Sequence, residues 1–367
     1  MKNLSTRKYV SKVIKLTLYL LFLILILLIF MYSKSPINPI IWEPSLNPGL
    51  TGKFSVNTKL EPINQLLKGV GIGGEDIAKG PDGYFYTGYR DGRILRFNLK
   101  GKYDIYANTN GKPLGIDFDH AGNLIVADAE RGLLSIDQDK NITVLTDNVN
   151  GKKMLFVDDL DIASDGTIWF SDATELYTYN NSIYSLLENR ATGRLLSYSP
   201  LTNDTKVHLN GLHFANGVAL GPEEEYVLVN ETGGAKIKRL WLKGDNKNKV
   251  DYFIDALPGF PDNISFNGID TFWVAIPAIR QPVIDALADK PFIRKLIGGL
   301  PAQLLTPKNS NGLILGLNLS GEVIHNFQDK QSPIVTLTSV NQWEKTLLIG
   351  SLNSDFIATL DLMRVSH

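Results

Sequence analysis

The chain has 367 residues, 44% hydrophobic and 20% charged, which is enough apolar mass for a packed core and the wrong balance for a disordered, collagenous or coiled-coil chain. It contains no cysteine, which excludes a disulfide framework, a thiolate metal site, an iron–sulfur cluster and a cysteine nucleophile, while leaving an oxidising compartment open. A formal net charge of -1 offers nucleic acid no basic field.

The N-terminus departs from that balance. Lys2, Arg7, Lys8, Lys12 and Lys15 are unopposed by any acid before residue 33, leaving 32 basic against 38 acidic residues beyond. Residues 16–32, LTLYLLFLILILLIFMY, carry no charge. As a helix they reach roughly 25 Å at ~1.5 Å per residue, close to a hydrocarbon thickness of ~30 Å. The stretch is too long for the apolar region of a signal peptide, and MYSKSP follows it in place of a small-x-small cleavage site. An uncleaved anchor is expected over 16–32. The basic flank of residues 1–15 is expected in the cytoplasm, which puts residue 33 onward in the periplasm, lumen or exterior. Residues 33–62, with Pro36, Pro39, Pro44, Pro48 and Pro62, read as an extended stalk lifting the rest off the membrane and feeding a first strand at 53–60.

Short β-branched and aromatic runs then follow at 84–89, 93–99, 123–128, 133–137, 167–172, 194–199, 226–231, 237–242, 271–276, 313–319 and 346–350, bounded by Asp-Gly, Ala-Gly and Asn-Gly turns. The fold class is all-β. One unit recurs, a polar tripeptide, an apolar strand, a turn and a second strand, as in VDDLDIASDGTIWFSD and ANGVALGPEEEYVLVNE. Its copies begin at Glu75, Leu114, Asp158, Asn216, Asp262 and Thr338. Six copies spaced by roughly 40 residues predict a six-bladed β-propeller over 63–367. The third interval holds LYTYNNSIYSLLENRATG and the fifth a longer insertion, 280–307. Only the second reads as helical, with Val283, Ile284, Leu287, Phe292, Leu296 and Ile297 near one side and Pro291 dividing it. It forms either a lid or membrane-resting surface, or packing for the propeller flank.

Equivalent positions of successive blades converge on the axis, so the repeat starts form a ring: Glu75, Leu114, Asp158, Asn216, Asp262 and Thr338, with Asp76, Asp159 and Asn263 one place on. Clustered carboxylates cannot all stay ionised without a cation, and hard oxygen ligands point to Ca²⁺ or, less tightly, Mg²⁺. The alternative is that these acids accept backbone amides at strand starts. GVGIGG at 69–74 satisfies G-x-G-x-x-G, but Gly80 and Pro81 leave no room for a helix, so it reads as a turn into the first blade. Asp128, Asp172 and Glu231 end the second strand of three blades and are expected to fix inter-blade loops. Asn-x-Ser/Thr triplets at Asn141, Asn180, Asn203, Asn230, Asn263 and Asn318 carry little weight in an Asn-rich chain.

Through GGEDIAKGPDG, KPLGIDFDHAGNLIVADAERGL, FANGVAL, LPGFPDNIS, KPFIRKLIGGLP and LLIGSLNSDFIATL the chain resembles the strictosidine synthase-like, gluconolactonase and paraoxonase group of six-bladed propellers. The resemblance implies a tunnel calcium ion held by Glu75, Asn216 and Asp262, with Asn263 a neighbouring ligand, and hydrolysis of small-molecule aryl esters or lactones. Three departures qualify it. Asp158 and Asp159 stand where relatives have Asn-Asp, keeping an oxygen ligand and adding a charge. Leu114 occupies the position of a paraoxonase histidine, and none of His120, His208, His213, His325 or His367 is in the ring. Thr338 replaces the glutamate of the condensing enzyme. The expected activity is a membrane-anchored calcium-dependent hydrolase, with the metal held by Glu75, Asp158, Asn216, Asp262 and Asn263 and with Asp262 or Asp158 as the reacting carboxylate. A non-catalytic binding propeller with a structural ion, and more distantly a strictosidine synthase-type enzyme, are the alternatives.

Overall fold

The computed structural model describes residues 2–306 and 312–365, with residues 2–8 as backbone alone. An N-terminal helix α1, Lys2–Lys34, leads into six four-stranded antiparallel sheets. The inner strands of blades one to six are Gly73–Lys79, Pro113–Phe118, Val157–Ile162, Ala215–Leu220, Ile264–Phe266 and Leu337–Trp343. Within each blade the strands follow in chain order from the axis outward, save the last. There the outermost place is taken by Asn64–Leu66, paired antiparallel with Ile357–Asp361 (Asn64 opposite Thr359, Leu66 opposite Ile357), so the start of the propeller closes its end.

Among the described residues the apolar mass forms seven clusters, six of them each shared by two neighbouring blades. Ala78, Tyr86 and Ile94 of blade one meet Ile116, Leu124 and Val126 of blade two, for example. Leu348 and Ile357 of blade six meet Ile77, Phe85 and Leu95 of blade one. Because every sheet buries both faces against neighbours, its strands read as near-continuous apolar runs, and the axis is left to polar side chains at strand starts. The expected strands are present within one or two residues of their bounds. The outer ones, such as Tyr103–Asn108 and Ile142–Thr146, had no expected counterpart; both are exposed or half-buried along their length, and Tyr103–Asn108 mixes polar with apolar residues.

Three expectations are corrected. The 53–60 strand is absent: a 3₁₀ turn at Gly52–Phe54 stands there, and the first strand is Asn64–Leu66. The 33–62 stalk is extended but does not stand clear of the propeller. Ile37, Phe54 and Leu60 are buried, Leu60 N–H donates to the Gln328 carbonyl (3.0 Å), and Asn57 Oδ1 accepts from Gln328 N–H (2.9 Å). The apolar side chains between its prolines are what dock it. The third-interval insertion, expected to be non-helical, holds a short helix α2, Ser182–Glu188. Seven residues are too few to be helical alone. Tertiary bonds hold α2, among them Tyr184 Oη to the Leu300 carbonyl (2.9 Å). The 280–307 insertion is helical as expected and divided at Pro291, into α3, Pro282–Asp285, α4, Pro291–Ile297, and also α5, Ala302–Leu305. Its expected end, Pro307, lies outside the described residues.

The GVGIGG run is a turn into blade one. Gly73 and Gly74 have φ of 111° and 90°, and a Cβ on Gly74 would come within 2.3 Å of Ile357 Cδ1, so only glycine fits beside the closing strand.

Leu60 is 1% exposed and packs with Trp273 and Phe327 between blades five and six. Leu60→Ala should cost about 2–5 kcal/mol, read as a lower melting temperature, whereas Ile41→Ala, at an exposed position of the same segment, should change stability by less than about 0.5 kcal/mol. Equal effects would contradict a docked segment.

Candidate functional site

Each inner strand starts at one end of the tunnel, here termed the mouth. The connections between second and third strands, including both insertions, lie at that end, and the tight turns such as 80–83 and 163–166 at the other. Glu75, Asp158, Asn216, Asp262 and Asn263 stand at or just before strand starts in blades one, three, four and five, and all are buried. Asn216 Nδ2 donates to Asp262 Oδ1 at 2.6 Å, and Asn263 Nδ2 donates to Glu75 Oε1 at 3.1 Å across the axis. These bonds use the amide nitrogens and leave the oxygens free. Glu75 Oε2, Asp158 Oδ2, Asn216 Oδ1 and Asn263 Oδ1 have no hydrogen-bond partner. Buried oxygens without partners are costly and rare, so four of them in one tunnel require an explanation.

The electrostatics agree. Burial pushes the Glu75 carboxyl well above its usual range, and Asp262, Asp76, Asp158 and Asp159 push it further. Asp158 is raised by burial and by the charges of Asp262 and Asp172. Burial raises Asp262 to about 7 against the opposing bond from Asn216. Among the described residues no three carboxylate, imidazole or thiolate groups cluster closely enough to hold a metal by themselves. The free donors are two carboxylate and two amide oxygens, a hard, oxygen-only set of the kind that suits Ca²⁺.

The second-place acids behave otherwise. Asp76 Oδ2 accepts from Ile116 N–H of blade two (3.2 Å) and its Oδ1 from Asn341 (2.8 Å), and Asp159 Oδ2 accepts from Val218 N–H of blade four (2.8 Å). They fasten adjacent blades, as the amide-accepting alternative anticipates. Asp76, Asp117, Asp159 and Asp161 line a cavity of about 230 Å³ further from the mouth, where burial raises Asp117 to about 7 and Asp161 to about 6. Asp128, Asp172 and Glu231 accept from Lys112, Phe156 and His213 N–H respectively, each in the loop entering its blade, and Asp172 also pairs with buried Arg194.

Leu114 sits in an apolar collar at the mouth with Phe156 and Phe214, against which Tyr179, Leu186 and Leu352 pack. Thr338 Oγ1 donates to the Glu75 carbonyl at 2.9 Å, so it braces the backbone of the ring. His213 is engaged through Nδ1 with Asn189 at 3.0 Å, and His367 lies outside the described residues. Two participants escaped the sequence reading. Tyr179, from the third-interval insertion, packs on Phe156 of the collar and lies within electrostatic reach of Arg90, Glu75 and Asp158. Asn230 donates to the Asp262 carbonyl and is fully buried, as is Asn263, so neither triplet is a surface glycosylation site. A position in an inserted loop carries no repeat signal for Tyr179, and Asn230 was masked by its triplet.

These carboxyls are raised above their unfolded values of about 4. The stability they contribute is present below that range and lost as pH climbs through the folded values, about 7 for Asp262. In chelator the melting temperature should therefore fall between pH 5 and pH 8, and saturating divalent cation should flatten the fall. A chelated chain equally stable at both pH values would count against a charged, unneutralised ring.

The strictosidine synthase family profile matches residues 158–245, and the strictosidine synthase-like N-terminal profile residues 52–97. Adipocyte plasma membrane-associated protein of Danio rerio is 33% identical over 388 residues, covering 98% of this chain and 93% of that one. Among solved structures, a gluconolactonase of Xanthomonas campestris superposes with a TM-score of 0.60 at 16% identity, covering 81% of this chain and 88% of that one. Regucalcin of Agrobacterium tumefaciens, described as a calcium-binding protein, superposes with a TM-score of 0.57 at 12% identity, over 87% and 94% of the two chains. At such identities the structural likeness speaks for the fold alone.

Proposed function

The chain belongs to the strictosidine synthase-like family of six-bladed propellers, and from that premise we propose that it is a membrane-anchored, calcium-dependent hydrolase of aryl esters or lactones. The observation that carries this reading is the set of four unpartnered buried oxygens, Glu75 Oε2, Asp158 Oδ2, Asn216 Oδ1 and Asn263 Oδ1, beneath an apolar mouth. Together with Asp262 they would hold the ion. Bound calcium supplies Lewis-acid polarisation of an ester carbonyl and stabilises negative charge developing on its oxygen.

The rest falls to the chain's own groups. Asp262 has one oxygen fixed by Asn216, which orients its carboxyl, and a pKa near neutrality suits a group that positions water or attacks a carbonyl. Asp158, with one oxygen free, is the second candidate for that role. Leu114, Phe156 and Phe214 give an aryl or acyl group a dry surface and keep bulk water from the ring. Helix α1 includes an apolar stretch, Tyr9–Lys34, long enough to cross a bilayer, and the basic flank before it supports a cytoplasmic N-terminus. The condensing reaction is not supported, since Thr338 occupies the glutamate position and is spent on the Glu75 backbone.

A second reading has its own observation. Asp76 and Asp159 show that axial carboxylates can serve only to join blades, and an ion at the ring could do the same in a non-catalytic propeller. Asp262→Asn separates the two. It keeps the shape and one ligand oxygen while removing the charge, so the variant should retain calcium and its melting temperature yet lose ~10²-fold or more in turnover of aryl esters or lactones. Stoichiometric calcium in a wild type inactive across a broad ester and lactone panel would establish the structural-ion reading instead.

A further inference from the structure

The 280–307 insertion is built inside out. A helix resting on a protein core turns its apolar stripe inward and its charges to water. Here Val283, Phe292 and Leu304 are 63%, 61% and 72% exposed, whereas Arg294 is 3% exposed. Its guanidinium donates to the carbonyls of Ile40, Leu187, Glu188 and Ala288. The other buried positions of the insertion are Arg280, whose guanidinium pairs with Asp285 and donates to the Ser45 carbonyl, and three small residues, Ala288, Gly298 and Ala302. A patch of this kind marks a surface that meets something other than water.

What it meets is indicated by α1. The end of that helix lies directly against α4: the Tyr32 and Phe292 ring centroids are 5.2 Å apart, Lys295 Nζ sits 5.0 Å over the Tyr32 ring, and a Cβ on Gly299 would come within 2.2 Å of the Met31 carbonyl oxygen. Phe292 is therefore beside the last turn of the helix, where a spanning segment leaves the hydrocarbon and aromatic residues gather at the headgroups. Ile40 and Ile41, just beyond, are also exposed.

We propose that α3, α4 and α5, with Ile40 and Ile41, form a second, non-spanning contact with the phospholipid bilayer that holds the mouth end of the propeller against the membrane. This rests on α1 being the anchor. The insertion joins the second and third strands of blade five and so lies at the mouth end. It is tied to α2, whose Leu186 packs on the apolar collar, through Tyr184 to the Leu300 carbonyl (2.9 Å) and Arg294 to the Glu188 carbonyl (3.0 Å). The mouth then opens toward lipid rather than bulk water.

The chain has no cysteine, so single sites can be labelled in the full-length protein. Nitroxides would be placed through Val283→Cys, Phe292→Cys and Leu304→Cys, with Leu23→Cys inside α1 and Leu201→Cys at the opposite end, where the side chain is 93% exposed, as references. In phosphatidylcholine vesicles, relative accessibility to oxygen over a water-soluble nickel chelate should be several-fold higher at 292 and 304 than at 201 and should approach that at 23. Water-like values at 283, 292 and 304 with a lipid-like value at 23 overturn this contact alone. A water-like value at 23 removes the anchor and this inference with it. Spin–spin broadening at 292 that persists in detergent assigns the face to a second copy of the chain and also overturns the proposal.

Discussion

Closure of the ring is the constraint on which everything else in this molecule depends. Six sheets pack face to face, each sharing an apolar cluster with the next, and the series is completed only when Asn64–Leu66 pairs with Ile357–Asp361. Open, the ring would leave an unpaired strand edge and two bare sheet faces. Closed, it places a residue from the start of each inner strand around one axis. Gly74 marks the join, since its φ of 90° suits glycine and a Cβ there would press on Ile357 Cδ1 of the closing blade.

From that geometry comes a division among the polar groups of the tunnel. Asp76, Asp159 and Thr338 join one blade to the next, and backbone hydrogen bonds offset part of the cost of their burial. Glu75, Asp158, Asn216 and Asn263 each keep an oxygen unsatisfied in the same dehydrated space. A fold stabilised by its blade interfaces can carry such groups at a cost, and costs of this kind concentrate where a ligand or reaction uses them. The same closure sends both insertions to the mouth end, so α2, the stalk residues and the end of α1 meet there.

Legibility in the sequence followed the repeat. Blades could be read because their inner three strands are short apolar runs between turn residues, and the ring because its members recur at one place in the unit. The outer strands, with solvent on one side, lack that contrast, as at Tyr103–Asn108. Residues 33–62 read as a free stalk because proline spacing reports backbone extension and says nothing of what Ile37, Phe54 and Leu60 touch. The insertion's helices were legible from apolar spacing. Their facing was not, since periodicity shows that a stripe exists without showing whether protein or lipid receives it.

By itself, the amino-acid order determined the class of fold, the number of blades, the apolar helix at the N-terminus and which oxygen-bearing side chains share a repeat position, because each of these is written in local periodicity and composition. Tertiary structure alone decided that Asp76 and Asp159 accept hydrogen bonds from neighbouring blades while Asp158 keeps an oxygen free, that Tyr179 comes within electrostatic reach of the ring and Asn230 braces its Asp262 backbone, and that Arg294 lies inside with Phe292 outside. Each of those outcomes depends on contacts between residues dozens to hundreds of positions apart, and such distances are set by how the blades close and not by any pattern within one of them.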